Sequence, residues 1–319
     1  MNRKKMVYFM AAAAAVIAIG CSGREEPLVI SKMHNGDAKF YKDKIVTSVD
    51  SVLTLVDGKG QIRKYPSVCA NWIDTIEEKN LLVYGNGRKE IGIVHFDEKE
   101  DVLSDETVFK SENLMIDPTI SENEGDYYLT YTEIKGMVNN ADPNKKNGEY
   151  TLHLYRSNDL KKWEHISDIA RDNNNIEDVD IVFDKGKIMA VYEKEIIDKG
   201  KSSIVLKCSE DKGRSWSEEK VLLEPEADQE PAVFEKADNG WRLYYSSDIA
   251  ASGETYMGAS AYYTSFDPEF RLKEKDKPIH SRTKKGVLLY DVRRRHGKTR
   301  LLYSRNYLTD CDLVAEETE

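Results

Sequence analysis

The stretch LMIDPTISENEGDYYLTYTEI, residues 114–134, decides the fold class. It consists of an apolar run with an acidic residue, a turn that contains glycine, and a second run that is rich in tyrosine. Short runs of β-branched and aromatic residues separated by Gly, Asp and Asn are typical of antiparallel strands. Helical periodicity is nearly absent elsewhere in the chain, so the sequence predicts an all-β protein.

The same unit occurs five times along the chain. The other copies are YPSVCANWIDTIEEKNLLVYGNGR from Tyr65, DVDIVFDKGKIMAVYEKE from Asp178, QEPAVFEKADNGWRLYYSSD from Gln229, and GVLLYDVRRRHGKTRLLYSRN from Gly286. Repeats of about 50 to 60 residues fit the blades of a propeller, which closes radially so that strand edges stay short. We therefore expect a five-bladed β-propeller in which residues 31–319 form a single domain. A six-bladed, sialidase-like propeller is the alternative, if residues 27–60 form a degenerate blade instead of completing the last one.

The first 20 residues predict a signal peptide that is not part of the fold. A basic start, MNRKK, precedes the short apolar run MVYFMAAAAAVIAIG, and small residues lead to Cys21. This pattern resembles a bacterial lipoprotein signal. The resemblance implies a lipidated Cys21, a polar tether over residues 21–30, and a protein anchored in the outer membrane that faces the periplasm or the cell surface. An ordinary secretory signal is the alternative.

The composition narrows the choice of partners and cofactors. The net charge is −10, and an acidic surface argues against nucleic acid and against electrostatic binding to a membrane. No Cys/His spacing indicates a zinc site, and no metal is predicted. The acidic loop DNNNIEDVD from Asp172 lacks the glycine and the spacing of a calcium-binding loop, so Ca²⁺ there is only the alternative to having no cofactor.

The segment SEDKGRSW, residues 209–216, predicts a turn that stabilises the fold. Asp211 can accept backbone N–H groups within its own turn, Gly213 can take a positive φ, and Trp216 can bury its ring between sheets. The spacing resembles the Asp-box of sialidases. SNDLKKW from Ser157 is similar to a turn of five-bladed glycosidases. Both turns are expected on outer strands, away from the propeller axis.

Acidic residues recur near the starts of the predicted inner strands. Because inner strands converge on the axis, their side chains would share one funnel. Hydrolysis of a glycosidic bond needs two carboxyl groups, and burial with mutual repulsion separates their pKa values. The alternative for each acid is a bond to backbone at the entry of its blade. The candidates are Asp117, Asp178, Asp180, Glu230 and Asp291.

Two segments connect these acids to known enzymes. IDPTISENEGDYYLTYT resembles a segment of five-bladed glycoside hydrolases such as family 43, and QEPAVFEKADNGWRLYYSS resembles both the general-acid blade of that family and a sialidase segment with a catalytic Glu. The resemblance implies Glu230 as general acid and Asp117 as the base or the pKa-setting carboxylate. Asp178 and Asp291 would orient substrate or water.

The implied function is a lipid-anchored glycoside hydrolase, a monomer, that acts on an extracellular glycan. The alternative is a non-catalytic glycan-binding propeller. Family 43 carries a catalytic Asp on its first inner strand, where this sequence offers Asn71, or Asp74 if the register slips.

Sialidases bind the substrate carboxylate with three arginines, because the guanidinium fork binds carboxylates bidentately. Here only Arg63 and the run Arg293–Arg295 could contribute. Arg63 and Arg293 are therefore the substrate-binding candidates. Trp72 is a third candidate, with a role either in stacking on a sugar ring or in the core.

Overall fold

The structure, a computed structural model, describes residues 26–30, 37–136, 148–196, 200–295, 297–307, 309 and 311–318. Within this part of the chain, 24 strands form six antiparallel four-stranded sheets. The fold is a six-bladed β-propeller. The prediction of an all-β propeller is confirmed, but the count of five blades is wrong and the alternative of six is correct.

The blades follow one another along the chain, each with its first strand innermost. The first contains β2 (Ala38–Tyr41), β3 (Lys44–Val49), β4 (Val52–Val56) and β5 (Ile62–Cys69). The second contains β6 (Trp72–Ile76), β7 (Leu81–Asn86), β8 (Glu90–Phe96) and β9 (Val102–Lys110). The third contains β10 (Leu114–Asn123), β11 (Asp126–Lys135), β12 (Glu149–Ser157) and β13 (Glu164–Asp172).

The second half of the ring repeats this order. The fourth blade contains β14 (Ile176–Asp184), β15 (Lys187–Ile196), β16 (Lys201–Ser209) and β17 (Lys220–Leu223). The fifth contains β18 (Gln229–Ala237), β19 (Gly240–Ser247), β20 (Ser260–Phe266) and β21 (Leu272–Pro278). The sixth contains β22 (Val287–Arg295), β23 (Lys298–Arg305), β24 (Asp312–Thr318) and β1 (Leu28–Ile30). Short 3₁₀ helices cover Glu77–Lys79, Ile249–Ala251 and Thr255–Met257.

The error in the blade count comes from the N-terminal strands. They do not complete the last blade, because β2 to β5 form a full blade of their own. The repeat copy that begins at Tyr65 joins the outer strand of this first blade to the inner strand of the second. Only β1 completes the sixth blade, where it pairs antiparallel with β24 and Val29 lies opposite Val314. The end of the predicted tether, residues 28–30, therefore belongs to the domain.

An aspartate organises the turn between the third and fourth strands of the first five blades. Each carboxylate accepts one or two backbone N–H groups from residues two to four positions further on, at 2.8 or 2.9 Å. These residues are Asp57, Asp97, Asp159, Asp211 and Asp267. In the sixth blade the third and fourth strands come from opposite ends of the chain, so no such turn joins them.

The turn at Asp211 forms the hydrogen bonds that its sequence predicts. Asp211 Oδ1 accepts the N–H of Ser215 at 2.9 Å, and Gly213 has φ 86°. A Cβ at Gly213 would lie 2.3 Å from Leu154 Cδ2, so glycine is also required by the neighbouring blade. Trp216 is half-buried and donates from Nε1 to Ser167 Oγ of that blade at 2.9 Å. The turn thus fastens the fourth blade to the third.

The hydrophobic core is divided into clusters that lie between and within the sheets. The axis of the ring is left to polar side chains. No helix in the described ranges is long and apolar enough to cross a membrane. Cys21 and the predicted signal peptide lie outside the described residues.

Candidate active site at the propeller axis

A cavity of about 780 Å³ lies where the innermost strands converge. Every blade contributes to its lining, and most of the contributed polar groups are acidic. The six innermost strands supply Lys39, Trp72, Asp117, Asp178, Glu230 and Asp291, among others. The structure therefore brings all four predicted catalytic acids, Asp117, Asp178, Glu230 and Asp291, to one cavity.

Two of these acids sit on irregular backbone. The register of β10 shifts between Ile116 and Thr119, and that of β14 shifts between Glu177 and Asp180. Within these bulges Asp117 has φ 49° and Asp178 has φ 52°. Left-handed backbone costs an L-residue about 1–2 kcal/mol, although Asp tolerates it better than most. Bulges redirect side chains and are common beside active sites, where strain is retained for function.

Asp178, Glu193 and Glu230 form a buried carboxyl cluster. Each offers an oxygen within 4.8 Å of the other two, and Glu230 is hydrogen-bonded to both partners. Burial raises the pKa of Glu230 to about 7, although the hydrogen bonds from Glu193 and Asp178 oppose that rise. Burial and the charge of Glu230 raise the pKa values of Asp178 and Glu193 well above their usual range. The three groups must therefore share protons near neutral pH, or share a bound cation, since clustered carboxylates suit Ca²⁺.

Asp117 lies apart from this cluster in its hydrogen bonding. Its Oδ2 is buried and has no hydrogen-bond partner among the described residues. Burial and the charges of Asp178 and Asp37 raise the pKa of Asp117, whereas Arg88 lowers it. Glu193 Oε2 is also buried and without a partner in the described part of the chain. Such groups are rare in folded proteins, and Asp117, which lines the cavity, can offer its oxygen to a ligand or to water.

A second set of axial aspartates has a structural role. On alternate blades, each accepts a backbone N–H from the innermost strand of the next blade. These bonds join Ile120 to Asp74 at 2.9 Å, Phe234 to Asp180 at 2.7 Å, and Phe40 to Asp291 at 2.8 Å. Asp291 thus fastens the sixth blade to the first through one carboxylate oxygen, and its predicted role in orienting substrate or water stays a prediction. Asp74 likewise fastens the second blade to the third.

Lys39 lies among these aspartates and balances their charge. Burial lowers the pKa of Lys39, but the charges of Asp74 and Asp291 outweigh that effect and raise it overall. Lys39 Nζ also donates to the carbonyl of Tyr290 at 3.4 Å. The axis therefore holds two groups of acids. The aspartates around Lys39 have a lysine as counter-charge, whereas the group around Glu230 consists mainly of acids.

Of the three predicted substrate-binding residues, the structure places two at the cavity and one away from it. Arg63 lies on β5, the outermost strand of the first blade, where it pairs with Asp101 and does not line the cavity. Its predicted role is therefore not supported. Arg293 does line the cavity, but its Nη1 donates to Glu77 Oε2 at 2.8 Å. Trp72 lines the cavity, with the Arg88 guanidinium 5.5 Å from its ring centroid. The described residues contain no arginine triad of the sialidase type at this cavity.

Sequence reasoning missed several residues of the site. Glu177 precedes Asp178 directly, and Glu193 follows an apolar run on the neighbouring strand β15, so both were visible as acids next to core strands. Tyr256 and Tyr307 come from loops and line the cavity with their ring centroids 5.1 Å apart. Nothing in the local sequence places these two loops together.

The loop that carries Tyr256 is held by a buried carboxylate. Asp248 follows β19, and its Oδ2 accepts the N–H groups of Gly253 and Thr255, each at 2.9 Å. Its Oδ1 accepts the N–H of Asp228 at 3.0 Å. Asp248 is thus a positioning residue for an aromatic wall of the cavity.

Comparison with solved structures relates this fold to proteins that act on glycans. An α-L-arabinanase from Penicillium chrysogenum, solved with arabinobiose, aligns with a TM-score of 0.58 at 10% identity, over 92% of this chain and 99% of that chain. A β-1,2-mannobiose phosphorylase from Listeria innocua, solved with β-1,2-mannobiose, aligns with a TM-score of 0.54 at 14% identity, over 95% of this chain and 92% of that one. An α-L-arabinofuranosidase from Fusarium graminearum, solved with an iminosugar inhibitor, aligns with a TM-score of 0.50 at 12% identity, over 91% and 98% of the two chains.

At these identities the likeness shows a shared propeller fold. No protein-family model matches the chain, and no curated protein matches its sequence significantly.

Proposed function

We propose that this protein cleaves the glycosidic bond of a glycan at the axial cavity. The observation that carries the proposal is the convergence of buried Asp117 and Glu230 with half-buried Asp178 in one cavity. The buried Oδ2 of Asp117, which lines this cavity, has no hydrogen-bond partner among the described residues. The structural likeness to glycan-active propellers supports the same class of substrate.

Glu230 is the general acid in this proposal. A catalytic acid works best when its pKa lies near the working pH, and burial raises the pKa of Glu230 to about 7. It can therefore hold a proton near neutrality and pass it to the leaving oxygen. The hydrogen bonds from Glu193 and Asp178 oppose the effect of burial and keep the pKa of Glu230 from rising further.

Asp117 is the base or the nucleophile. Burial and the charges of Asp178 and Asp37 raise the pKa of Asp117 well above its usual range and Arg88 only opposes that rise, so Asp117 must release its proton before it acts. Its Oδ2, which has no partner among the described residues, can contact water or the anomeric carbon. Two carboxyl groups with separate environments are what glycoside cleavage needs. Because Asp117 and Asp178 are held on bulges in adjacent blades, their positions are fixed before substrate binds.

The charge of the cavity favours neutral or amino sugars over acidic ones. Carboxyl groups of Asp37, Asp117, Glu177, Asp178 and Glu230 line it. The cationic side chains that line it are Lys39, Arg88 and Arg293, of which Lys39 is surrounded by the structural aspartates. A field of this sign repels a sugar carboxylate. The sialidase resemblance therefore extends to the fold and not to an acidic substrate. The aromatic rings of Trp72, Tyr256 and Tyr307 offer flat faces on which a sugar ring can stack.

The test is hydrolysis of a panel of arabinosides, xylosides, galactosides, mannosides and amino-sugar glycosides, with sialosides as the acidic comparison. We expect Glu230→Gln to lower the rate by roughly 10²–10⁴-fold with little loss of folded protein. Glu235→Gln, on the same strand but not lining the cavity, is the matched control. Full activity of Glu230→Gln would overturn the assignment.

A non-catalytic glycan-binding propeller remains the second candidate. It is favoured by one observation: Asp74, on the inner strand of the second blade where family 43 carries its catalytic Asp, accepts a backbone N–H from Ile120 and so has a structural role here. Binding on a glycan array by both the wild type and Glu230→Gln, without turnover by either, would support this candidate.

Lipid anchoring at Cys21 is part of the proposal and rests on the signal-like N-terminus. The protein would then stand in the outer membrane and meet glycans outside the cytoplasm. Cys21→Ala is expected to move the protein from the membrane fraction to the soluble fraction. Unchanged fractionation would point to an uncleaved signal as the anchor.

A further inference from the structure

Two histidines and an aspartate meet on the outer strands of the third blade, away from the axial cavity. His153 Nδ1 lies 2.8 Å from Asp168 Oδ1, and His165 Nε2 lies 3.0 Å from the same oxygen. All three ligand atoms lie within 4.8 Å of one another. The side chains are 12% exposed for His153, 30% for Asp168 and 45% for His165, so the group is anchored on one side and open to solvent on the other.

A β-bulge is what brings the three side chains to one face. In a regular strand, residues three apart such as His165 and Asp168 point to opposite faces. Here Tyr155 pairs with His165 whereas Leu154 pairs with Ser167, so one extra residue stands between them. The extra residue shifts the alternation of side chains along β13 by one position, so Asp168 lies on the same face as His165. Asp168 is also paired directly with His153 on the neighbouring strand.

Further charged groups surround the cluster and orient it. His153 Nε2 lies 3.7 Å from Glu133 Oε2, and Glu133 Oε1 accepts from Ser111 and Asn113. Arg171 Nη2 donates to Asp168 Oδ2 at 2.9 Å, which leaves Oδ1 for the two imidazoles. A histidine that binds metal commonly directs its other ring N–H to a carboxylate, and Glu133 stands in that position for His153.

We propose that His153, His165 and Asp168 form a binding site for a divalent transition metal of the zinc class. Two imidazole nitrogens and a carboxylate oxygen are a ligand set that Zn²⁺ accepts, at about 2.0–2.2 Å from each atom. The metal would occupy the space between the two ring nitrogens and Asp168 Oδ1, so each neutral imidazole would bind it through the nitrogen that faces Asp168 and carry its single proton on the other nitrogen. Three protein ligands leave a fourth position open toward solvent for water or an external donor.

The test is calorimetric titration of the purified, untagged protein with ZnCl₂, with CoCl₂ absorption as the spectroscopic signature of the coordination. We expect one equivalent of Zn²⁺ to bind the wild type. His153→Ala and Asp168→Asn should each abolish this binding event and the cobalt spectrum. Glu133→Gln should weaken it by about 10-fold, as the loss of an outer partner does elsewhere. His280→Ala, which removes an exposed histidine on another blade, is the matched control and should bind as the wild type does.

The proposal is overturned if the wild type binds no Zn²⁺, or if His153→Ala and Asp168→Asn bind it with unchanged affinity and spectrum. The latter result would indicate binding elsewhere, for example at the exposed thiol of Cys69. Melting temperatures of the apo variants show whether each is folded. His165→Ala, the most exposed of the three ligands, keeps the test valid if His153→Ala is unstable.

Discussion

At the scale of single residues, the hydrogen-bond partners of each axial carboxyl group determine what that group can do. Glu230 and Asp291 both line the cavity on inner strands, and sequence reasoning treated both as catalytic. Asp291 is bonded to a backbone N–H of the first blade, whereas Glu230 is bonded to other carboxyl groups. The backbone partner gives Asp291 a structural role, whereas the carboxyl partners leave Glu230 able to exchange a proton.

The raised pKa of Glu230 predicts a pH dependence of stability. Because folding raises this pKa from 4.5 to about 7, the folded state binds more protons. The contribution to stability is full below pH 4.5 and is lost as the pH rises through 7. Glu230→Gln removes this loss, so it should be more stable than the wild type at pH 8, by up to about 3 kcal/mol, and similar to it at pH 4. Urea unfolding across this pH range measures the difference, and equal pH slopes in the two proteins would contradict the prediction.

The backbone at Asp117 predicts an unusual order of two variants. At φ 49° glycine is at ease, whereas alanine meets the left-handed penalty. We expect Asp117→Gly to be about 1 kcal/mol more stable than Asp117→Ala, the reverse of the usual order in strands. Chemical denaturation of both variants decides this, and the argument fails if the alanine variant is equally or more stable.

At the scale of elements, the bulge and the aspartate turn are the recurring devices. Bulges in β10 and β14 hold Asp117 and Asp178, for which roles at the axial site are proposed, and another in β13 assembles the proposed metal site. The aspartate turn fastens outer hairpins in five blades and has no place in the cavity. Within a blade, the aspartate turn thus stabilises the ring, whereas the bulges position the side chains of the proposed sites.

The turn that contains Trp216 gives a prediction at this scale. The ring is half-buried against the third blade and bonded to Ser167, so Trp216→Ala should lower the free energy of unfolding by about 2–3 kcal/mol, less than a full core truncation. Asp211→Ala should also destabilise the protein. Arg214→Ala, exposed in the same turn, should stay within about 0.5 kcal/mol of the wild type. Loss of glycan binding without loss of stability in the Trp216 or Asp211 variant would place a ligand site at this turn.

At the scale of the whole molecule, one short strand closes the ring. β1 pairs with β24 of the sixth blade, and its residues Leu28 and Ile30 pack against a buried cluster shared with the first blade. The first and the last of the described strands are thereby held together, and the bond from Phe40 to Asp291 joins the same two blades at the axis.

Removal of residues 26–30 tests the closure. A protein that begins at residue 31 should lose about 1–3 kcal/mol relative to one that begins at residue 26, from the loss of half-buried apolar side chains. The melting temperature should fall by roughly 2–4 °C for each kcal/mol, as for domains of 150–250 residues. Calorimetry of the two proteins provides the measurement, and identical melting temperatures would show that the ring closes without β1.

The sequence by itself determined the features that depend on local patterns. Alternating runs and recurrent turns predicted the all-β propeller, the SEDKGRSW spacing predicted the bonds of Asp211, and acids at the same position of successive repeats predicted that Asp117, Asp178 and Glu230 meet. Only the tertiary structure decided the blade count, because it shows that β2 to β5 pair with one another as a separate blade and that only β1 completes the sixth. It also separated Asp291 from Glu230, assembled Tyr256 with Tyr307, and placed His153 beside Asp168. Those outcomes depend on contacts between blades, on bulges and on loops, which no local period in the sequence encodes.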